Sequence, residues 1–146
     1  MMRGVADSLI PVARKLMKQK KYKDMFDESL KIDESLKIKE IYENYTAAFG
    51  MIVNQSGFQS AFAIYNESGK NNKGDKHIIT HLLYDMLSDP DFVNNYTSVI
   101  IEKDYELCKN NILNGEHEDD EYEAFFQEAS IALKRAIRTF EIVKEK

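Results

Sequence analysis

The sequence predicts an all-α protein, a single-domain bundle of about six helices spanning residues 1–146. Glycine and proline are scarce, with six and two in 146 residues, so long stretches lack the residues that punctuate a many-turned β fold. Apolar residues recur at steps of three and four, the spacing of one helix face, and no alternating pattern of strand length competes with them. A chain of this length is expected to bury a core without metals or disulfides.

The first helix is predicted from about Leu9 to Gln19. Asp7 or Ser8 serves as its N-cap, and Pro11 is tolerated because it falls in the first turn. Apolar residues then share one arc of this helix, and basic residues lie on the opposite side.

A repeated hexapeptide follows the first helix, because residues 27–38 contain DESLKI twice. Six residues turn a helix by about 240°, so the two leucines of the repeat do not share one helix face. We interpret the region around 21–37 as a variable surface extension.

The middle of the chain predicts three helices. Helix two runs from about Lys37 to Gln55, and Gly57 ends it with a left-handed residue. Helix three covers about Phe58 to Glu67, and helix four covers about Asp75 to Ser88 after a polar, glycine-containing loop.

Two longer helices complete the predicted bundle. Helix five is capped by Ser88 or Asp89, has Pro90 in its first turn, and continues through a buried Cys108 to a stop at Asn114–Gly115. Helix six runs from about Glu121 to Lys144. Its apolar seam has heptad-like steps: Tyr122, Phe126, Ala129, Leu133, Ala136, Phe140 and Val143.

The composition excludes several classes of protein. No apolar run approaches the roughly 18 residues of a membrane span, and the single cysteine allows no internal disulfide, so we expect a cytoplasmic protein. The net charge of −5 argues against general nucleic-acid binding. The charge is nevertheless polarised, because residues 14–23 are basic and carry no acid, and a local basic face can bind phosphate.

The candidates for chemistry are weak. His77, His81 and Asp85 fall at i, i+4 and i+8 on the polar side of helix four, which predicts a solvated face more readily than a metal site. The acidic loop at 116–121 lacks the glycine and alternating ligands of a calcium loop. We predict no metal, no cofactor and no catalytic residue.

Outward-facing residues favour a binding role. Ile131 and Ile142 are placed about 180° from the seam of helix six, beside basic side chains, which is unusual for a solitary monomer. The candidate protein-interface residues are Ile131 and Ile142. The candidate cations for phosphate contact are Lys134, Arg135 and Arg138, with Lys15, Lys18 and Lys21 on helix one.

Two segments resemble a known family: 45–65 (YTAAFGMIVNQSGFQSAFAIY) and 122–146 (YEAFFQEASIALKRAIRTFEIVKEK). They are similar to the small helical subunit of the type III-B CRISPR effector, the Cmr complex. The shared features are a tyrosine-led helix, an apolar turn at Ile52, Gly57 and Phe58, and a final alanine-rich helix that carries lysine and arginine.

The resemblance implies a non-catalytic subunit of a ribonucleoprotein that acts in antiviral defence. Copies of such subunits stack head to tail beside the large and backbone subunits, and their basic faces contact the backbone of guide and target RNA. Two alternatives remain open from the residues: the small subunit of a type III-A complex, or a helical adaptor without a nucleic-acid role. A metal-dependent hydrolase built on His77, His81 and Asp85 is the third hypothesis.

Overall fold

The computed structural model describes residues 4–26, 37–67, 75–94, 101–116 and 120–143. The fold is mostly α-helical, as predicted. Two short parallel strands, β1 (Lys37–Lys39) and β2 (Glu141–Val143), join the helices. The helices in chain order are α1 (Val5–Met17), a 3-10 helix (Lys20–Met25), α2 (Glu40–Ser56), α3 (Phe58–Glu67), α4 (His77–Ser88), α5 (Pro90–Val93), α6 (Tyr105–Leu113) and α7 (Asp120–Ile137).

Helix α7 lies at the centre of the packing and contacts α1, α2 and α4. The apolar faces of α2, α3, α4 and α7 lie in the core, and aromatic rings fill much of it. Phe58, Phe62 and Phe126 form one such group, with ring centroids 5.1 to 6.1 Å apart. Gly57 ends α2 with a φ of 96° and a ψ of 161°, so the predicted stop is confirmed, but its backbone is outside the left-handed helical region.

The predicted start of the first helix is wrong. Helix α1 begins at Val5, after Gly4 at a φ of 86°, so Asp7 and Ser8 lie inside the first turn and do not cap it. Pro11 consequently occupies the helix interior, where it removes one backbone hydrogen bond. Pro11 is exposed and is not part of the core.

The long fifth helix is also wrong, because α5 ends at Val93 and α6 begins at Tyr105. Residues 95–100 of that prediction lie outside the described residues. Asp104 restarts the helix as an N-cap, with its carboxylate accepting a hydrogen bond from the Leu107 amide at 2.8 Å. The Asp89 cap and Pro90 at the first position of α5 are confirmed.

The described start of the predicted surface extension, residues 21–26, contributes to the core. Tyr22, Met25 and Phe26 are buried, and Phe26 forms a bridge with Ile38 of β1. Residues 27–36, which hold most of the repeated hexapeptide, lie outside the described residues.

The predicted end of helix six is wrong by several residues. Helix α7 ends at Ile137, and the chain turns into β2. Phe140 packs edge-on against Phe26 at 5.3 Å and lies under the guanidinium of Arg14 at 4.8 Å. These tertiary contacts outweigh the helical pattern that continues in the sequence.

Candidate functional site

The first candidate surface lies at the C-terminal end of α7 and consists of Lys134, Arg135 and Arg138; we call it the α7 cationic surface. Arg135 pairs with Asp7 of α1 at 3.3 Å, and Arg138 pairs with Glu43 of α2 at 3.0 Å. Both arginine side chains remain more than half exposed, at 56% and 57%. Cations at this position also complement the negative end of the helix dipole, which is a sufficient structural reason for them.

The two isoleucines of the predicted interface occupy different environments. Ile131 is 42% exposed on α7. Ile142 lies in β2, in register with Ile38, and packs partly buried against the core, so its predicted place on an outward face of the last helix is wrong. Their role in contacting another protein stays a prediction.

The second candidate surface, the α1 cationic surface, consists of Lys15, Lys18 and Lys21. Lys15 bridges Asp89 and Asp91 at 2.9 and 2.8 Å, and Lys21 pairs with Asp85 at 2.5 Å. Hydrogen bonds to Asp91 and Asp89 raise the pKa of Lys15. Lys18 is exposed. The structure therefore joins two of the three cations to carboxylates on α4 and α5.

A cleft of about 260 Å³ lies between the 3-10 helix and the start of α4. Its walls are Lys21, Tyr22, Asp75, His77, Ile78 and His81. The prediction of a solvated face for His77, His81 and Asp85 is wrong, because all three are partly buried. Helical periodicity correctly places the three residues on one side of α4, but it does not predict that the 3-10 helix packs against that side.

The histidines of the cleft form an aromatic stack with Tyr105. The ring of His81 lies on Tyr105 with centroids 3.6 Å apart, and His77 meets His81 edge-on at 4.4 Å. Burial lowers the pKa of His81 to about 4, with His77 contributing in the same direction. The imidazole of His81 is therefore neutral at pH 7 and has one donor and one acceptor nitrogen.

Asp85 is engaged by protein groups on the side facing the 3-10 helix. Its carboxylate accepts a hydrogen bond from the Tyr22 hydroxyl and pairs with Lys21. Burial and this hydrogen bond raise the pKa of Tyr22. Within the residues that the structure describes, no three histidine, cysteine, aspartate or glutamate side chains are grouped as metal ligands.

Cys108 belongs to a buried polar cluster. Its sulfur lies 3.0 Å from the Tyr122 hydroxyl, which donates to Glu102 at 2.7 Å. Burial raises the pKa of the Cys108 thiol to about 12, so it is protonated at neutral pH. The prediction of a buried cysteine is confirmed.

Arg14 of α1 is a further cation near the end of α7, and the predicted site does not include it. It lies over Phe140, immediately beyond the end of α7, while Lys15 points to carboxylates on α4 and α5. The basic side of α1 is thus divided between two sides of the bundle. No local sequence pattern predicts the contact between Arg14 and Phe140, because the two residues are 126 positions apart in the chain.

The fold and these surfaces define a small helical bundle with exposed cations on two of its faces. Among the described helices, none is both long and apolar enough to cross a membrane. Residues 17–122 match the model of one protein family, described as CRISPR-associated protein (Cas_Cmr5). The chain therefore belongs to this family, the small subunits of type III-B Cmr complexes.

The other comparisons add no relatives, since no curated protein and no solved structure matches the chain significantly. Family membership implies a subunit that assembles with other CRISPR proteins in a Cmr complex. The match includes the segment 45–65 and stops at Tyr122, where the second segment of the resemblance begins. The family match therefore gives no support for a role of Lys134, Arg135 and Arg138, and the case for these cations depends on their position in the structure.

Proposed function

We propose that this chain is a non-catalytic small subunit of a type III-B RNA-guided interference complex and contacts the RNA backbone through its cationic surfaces. The observation that carries the proposal is the family match over residues 17–122. The proposal places the chain in the cytoplasm, beside the backbone and large subunits and further copies of itself.

The exposure of the paired cations supports contact with RNA. Lys15 and Lys21 remain 46% and 57% exposed in their ion pairs, similar to Arg135 and Arg138 on α7. The Arg135–Asp7 pair is exposed on both sides, at 56% and 78%, and such a pair contributes about 0–1 kcal/mol, so a phosphate can displace the Asp7 carboxylate at small cost. The carboxylates of Asp85, Asp89 and Glu43 are only 16%, 7% and 22% exposed, so their cations bind phosphate while they keep these pairs. Arginine additionally bonds a phosphate through two parallel N–H groups. These contacts position RNA without reading its bases.

Contacts between subunits are assigned to the apolar residues beside the α7 cationic surface. Ile131 provides the exposed apolar area, and Ile142 adds its uncovered part from β2. A head-to-tail contact joins different surfaces of successive copies, which allows a row of subunits. Burial of Ile131 in such a contact stabilises it by removing apolar area from water.

The test is reconstitution of the complex with Arg135→Gln/Arg138→Gln in place of the native subunit. The matched control is Lys103→Gln/Lys109→Gln, which removes the same two positive charges at a different place: Lys109 lies on α6 and Lys103 lies just before it. We expect both variants to enter the complex, and only the α7 variant to weaken target-RNA binding, by about tenfold.

The same experiment distinguishes the adaptor hypothesis. Equal RNA binding by both variants, with normal incorporation, would mean that the subunit contacts proteins only. Failure of the wild-type chain to enter a type III-B complex, together with entry into a type III-A complex, would contradict the assignment of the complex.

A further inference from the structure

We propose that the cleft between the 3-10 helix and α4 is a binding site for one unstacked nucleotide, with the base inside and its phosphate at Lys21. This inference rests on the proposed function and deepens it, since it adds a base-contacting site to a subunit assigned to backbone contact. The residues that carry it are Lys21, Asp75, His77 and His81.

The size and walls of the cleft fit a single base. Pockets for drug-sized ligands have volumes of about 300–1,000 Å³, and this cleft has about 260 Å³. Its lining residues include His77 and His81, which are partly exposed, the aliphatic Ile78, and Tyr22, which is 2% exposed. Unstacked RNA bases bind to proteins on such aromatic rings, because every base has a π face.

The aromatic wall is held in place before any ligand binds. Tyr105 covers one face of His81, and its own hydroxyl bonds to Thr80 and Asn66, each at 2.7 Å. His77 meets both His81 and Tyr105 edge-on, at 4.4 and 5.6 Å. A wall fixed from two helices loses little side-chain entropy when a base stacks on it.

The polar groups of the cleft select a planar ligand that carries hydrogen-bond donors. Asp75 accepts from the His77 amide at 3.0 Å, and a carboxylate has capacity for further hydrogen bonds. Carboxylates accept hydrogen bonds from the exocyclic amino group of cytosine, and adenine carries an equivalent amino group. Guanine also carries an exocyclic amino group, whereas uracil has none, so the cleft should prefer cytosine, adenine and guanine to uracil.

The charges of the cleft argue against two other ligands. Free phosphate meets the Asp75 carboxylate inside and has no stacking surface to use. A guanidinium group of a partner protein satisfies Asp75 but meets the ammonium of Lys21, which lies 2.5 Å from Asp85 and is 57% exposed. A nucleotide satisfies both ends, because its base carries donors and its phosphate is anionic.

The direct test is NMR of the full chain titrated with the mononucleotides CMP, AMP and UMP, and with inorganic phosphate and free arginine as comparison ligands. We expect CMP and AMP to shift the resonances of His77 and His81 with dissociation constants on the order of a millimolar. UMP should bind several-fold more weakly. The proposal is wrong if phosphate or arginine produces equal shifts of these resonances, or if no nucleotide produces any.

Variants assign the binding to the cleft. His77→Ala should weaken CMP binding about tenfold, within the range of single base–aromatic contacts. Asp75→Asn keeps an acceptor for the His77 amide and should remove the preference for CMP over UMP. Lys23→Gln is the matched control for Lys21→Gln, because both lysines are exposed on the 3-10 helix and only Lys21 lines the cleft. Thermal unfolding of each variant identifies any that fails to fold.

The outcome separates this inference from the proposed function. Mononucleotide binding is measured on the isolated chain, whereas the α7 variants are measured in the complex. Loss of CMP binding in His77→Ala with intact RNA binding in the complex supports the cleft as an accessory site. If no mononucleotide binds the cleft while the α7 variants lose RNA binding in the complex, this inference is wrong and the proposed function is still supported.

Discussion

His81 is a polar side chain that the fold uses as a packing element. It lies flat on Tyr105, beside His77, with Asp85, Lys21 and Glu106 as the other charged groups near it. The i, i+4 spacing of His77 and His81 places both on a polar side of α4. It gives no information about the 3-10 helix and α6, which pack against that side. Burial is therefore the property of His81 that sequence could not provide.

The buried histidine predicts a dependence of stability on pH. The folded pKa of about 4 lies below the unfolded value, so acid protonates the unfolded chain first. The stabilising contribution of neutral His81 is complete above about pH 6.5 and is lost as pH falls toward 4. Between pH 7 and pH 5 we expect a loss of about 1 kcal/mol, after allowance for solvent screening of a partly exposed ring.

Urea unfolding of the wild-type chain and of His81→Gln at pH 7 and pH 5 measures this effect. The variant should be less stable at pH 7 because the stack on Tyr105 is lost, but its stability should change less between the two pH values. An equal change in both proteins would show that groups other than His81 are responsible, and Glu102 is not one of them in this pH range. Burial alone would raise the pKa of Glu102, but hydrogen bonds from Asn111 and Tyr122 outweigh it and lower the pKa, so that group titrates at lower pH.

Helix boundaries show where local pattern and tertiary structure compete. Asp89 and Asp104 both accept a backbone hydrogen bond as N-caps, but the sequence predicts only a cap at Ser88 or Asp89, because Pro90 follows. Asp104 lies between Ile100 and Leu107, whose spacing predicts one continuous helix, so the local pattern gives no signal for a new N-cap there. The local sequence pattern does not predict the end of α7, because that end depends on contacts of Phe140 with Phe26 and Arg14, which are distant in sequence.

Pro11 predicts a stabilising substitution in α1. Its position inside the helix leaves one carbonyl of the first turn without its usual amide donor, and proline is the least favourable residue in a helix interior. Since Pro11 is exposed, Pro11→Ala should restore the bond without loss of core packing. We expect about 1–3 kcal/mol of added stability, measured by urea unfolding.

A control on the same helix makes this prediction specific. Ser8→Ala changes an exposed residue whose hydroxyl only bonds back to the Val5 carbonyl at 2.8 Å, so it should have a much smaller effect. A decrease in stability of Pro11→Ala would mean that the proline ring contributes packing that outweighs the missing hydrogen bond.

At the scale of the whole molecule, the sequence predicted the architecture better than the surfaces. The stripes of α2, α3, α4 and α7 identify buried faces because each is long and regular, and together they require a bundle. The cleft joins Lys21 and Tyr22 to residues after position 74, and no spacing in the sequence relates such distant groups. The ion pairs of Arg135 and Arg138 likewise join α7 to α1 and α2.

The distribution of charge over the molecule predicts how its RNA affinity depends on salt. Contacts between cations and phosphates release counterions, and the logarithm of the binding constant falls with that of salt by about 0.7 for each contact to a single strand. Removing Arg135 and Arg138 together should therefore reduce the slope by about 1.4 if each contacts one phosphate. The measurement is a titration of single-stranded RNA with the isolated chain at several salt concentrations.

Lys103→Gln/Lys109→Gln should leave the slope unchanged, because the same loss of net charge occurs outside both cationic surfaces. Equal slopes for the two variants would show that only overall charge matters, and the α7 cationic surface would then have no specific role in binding RNA.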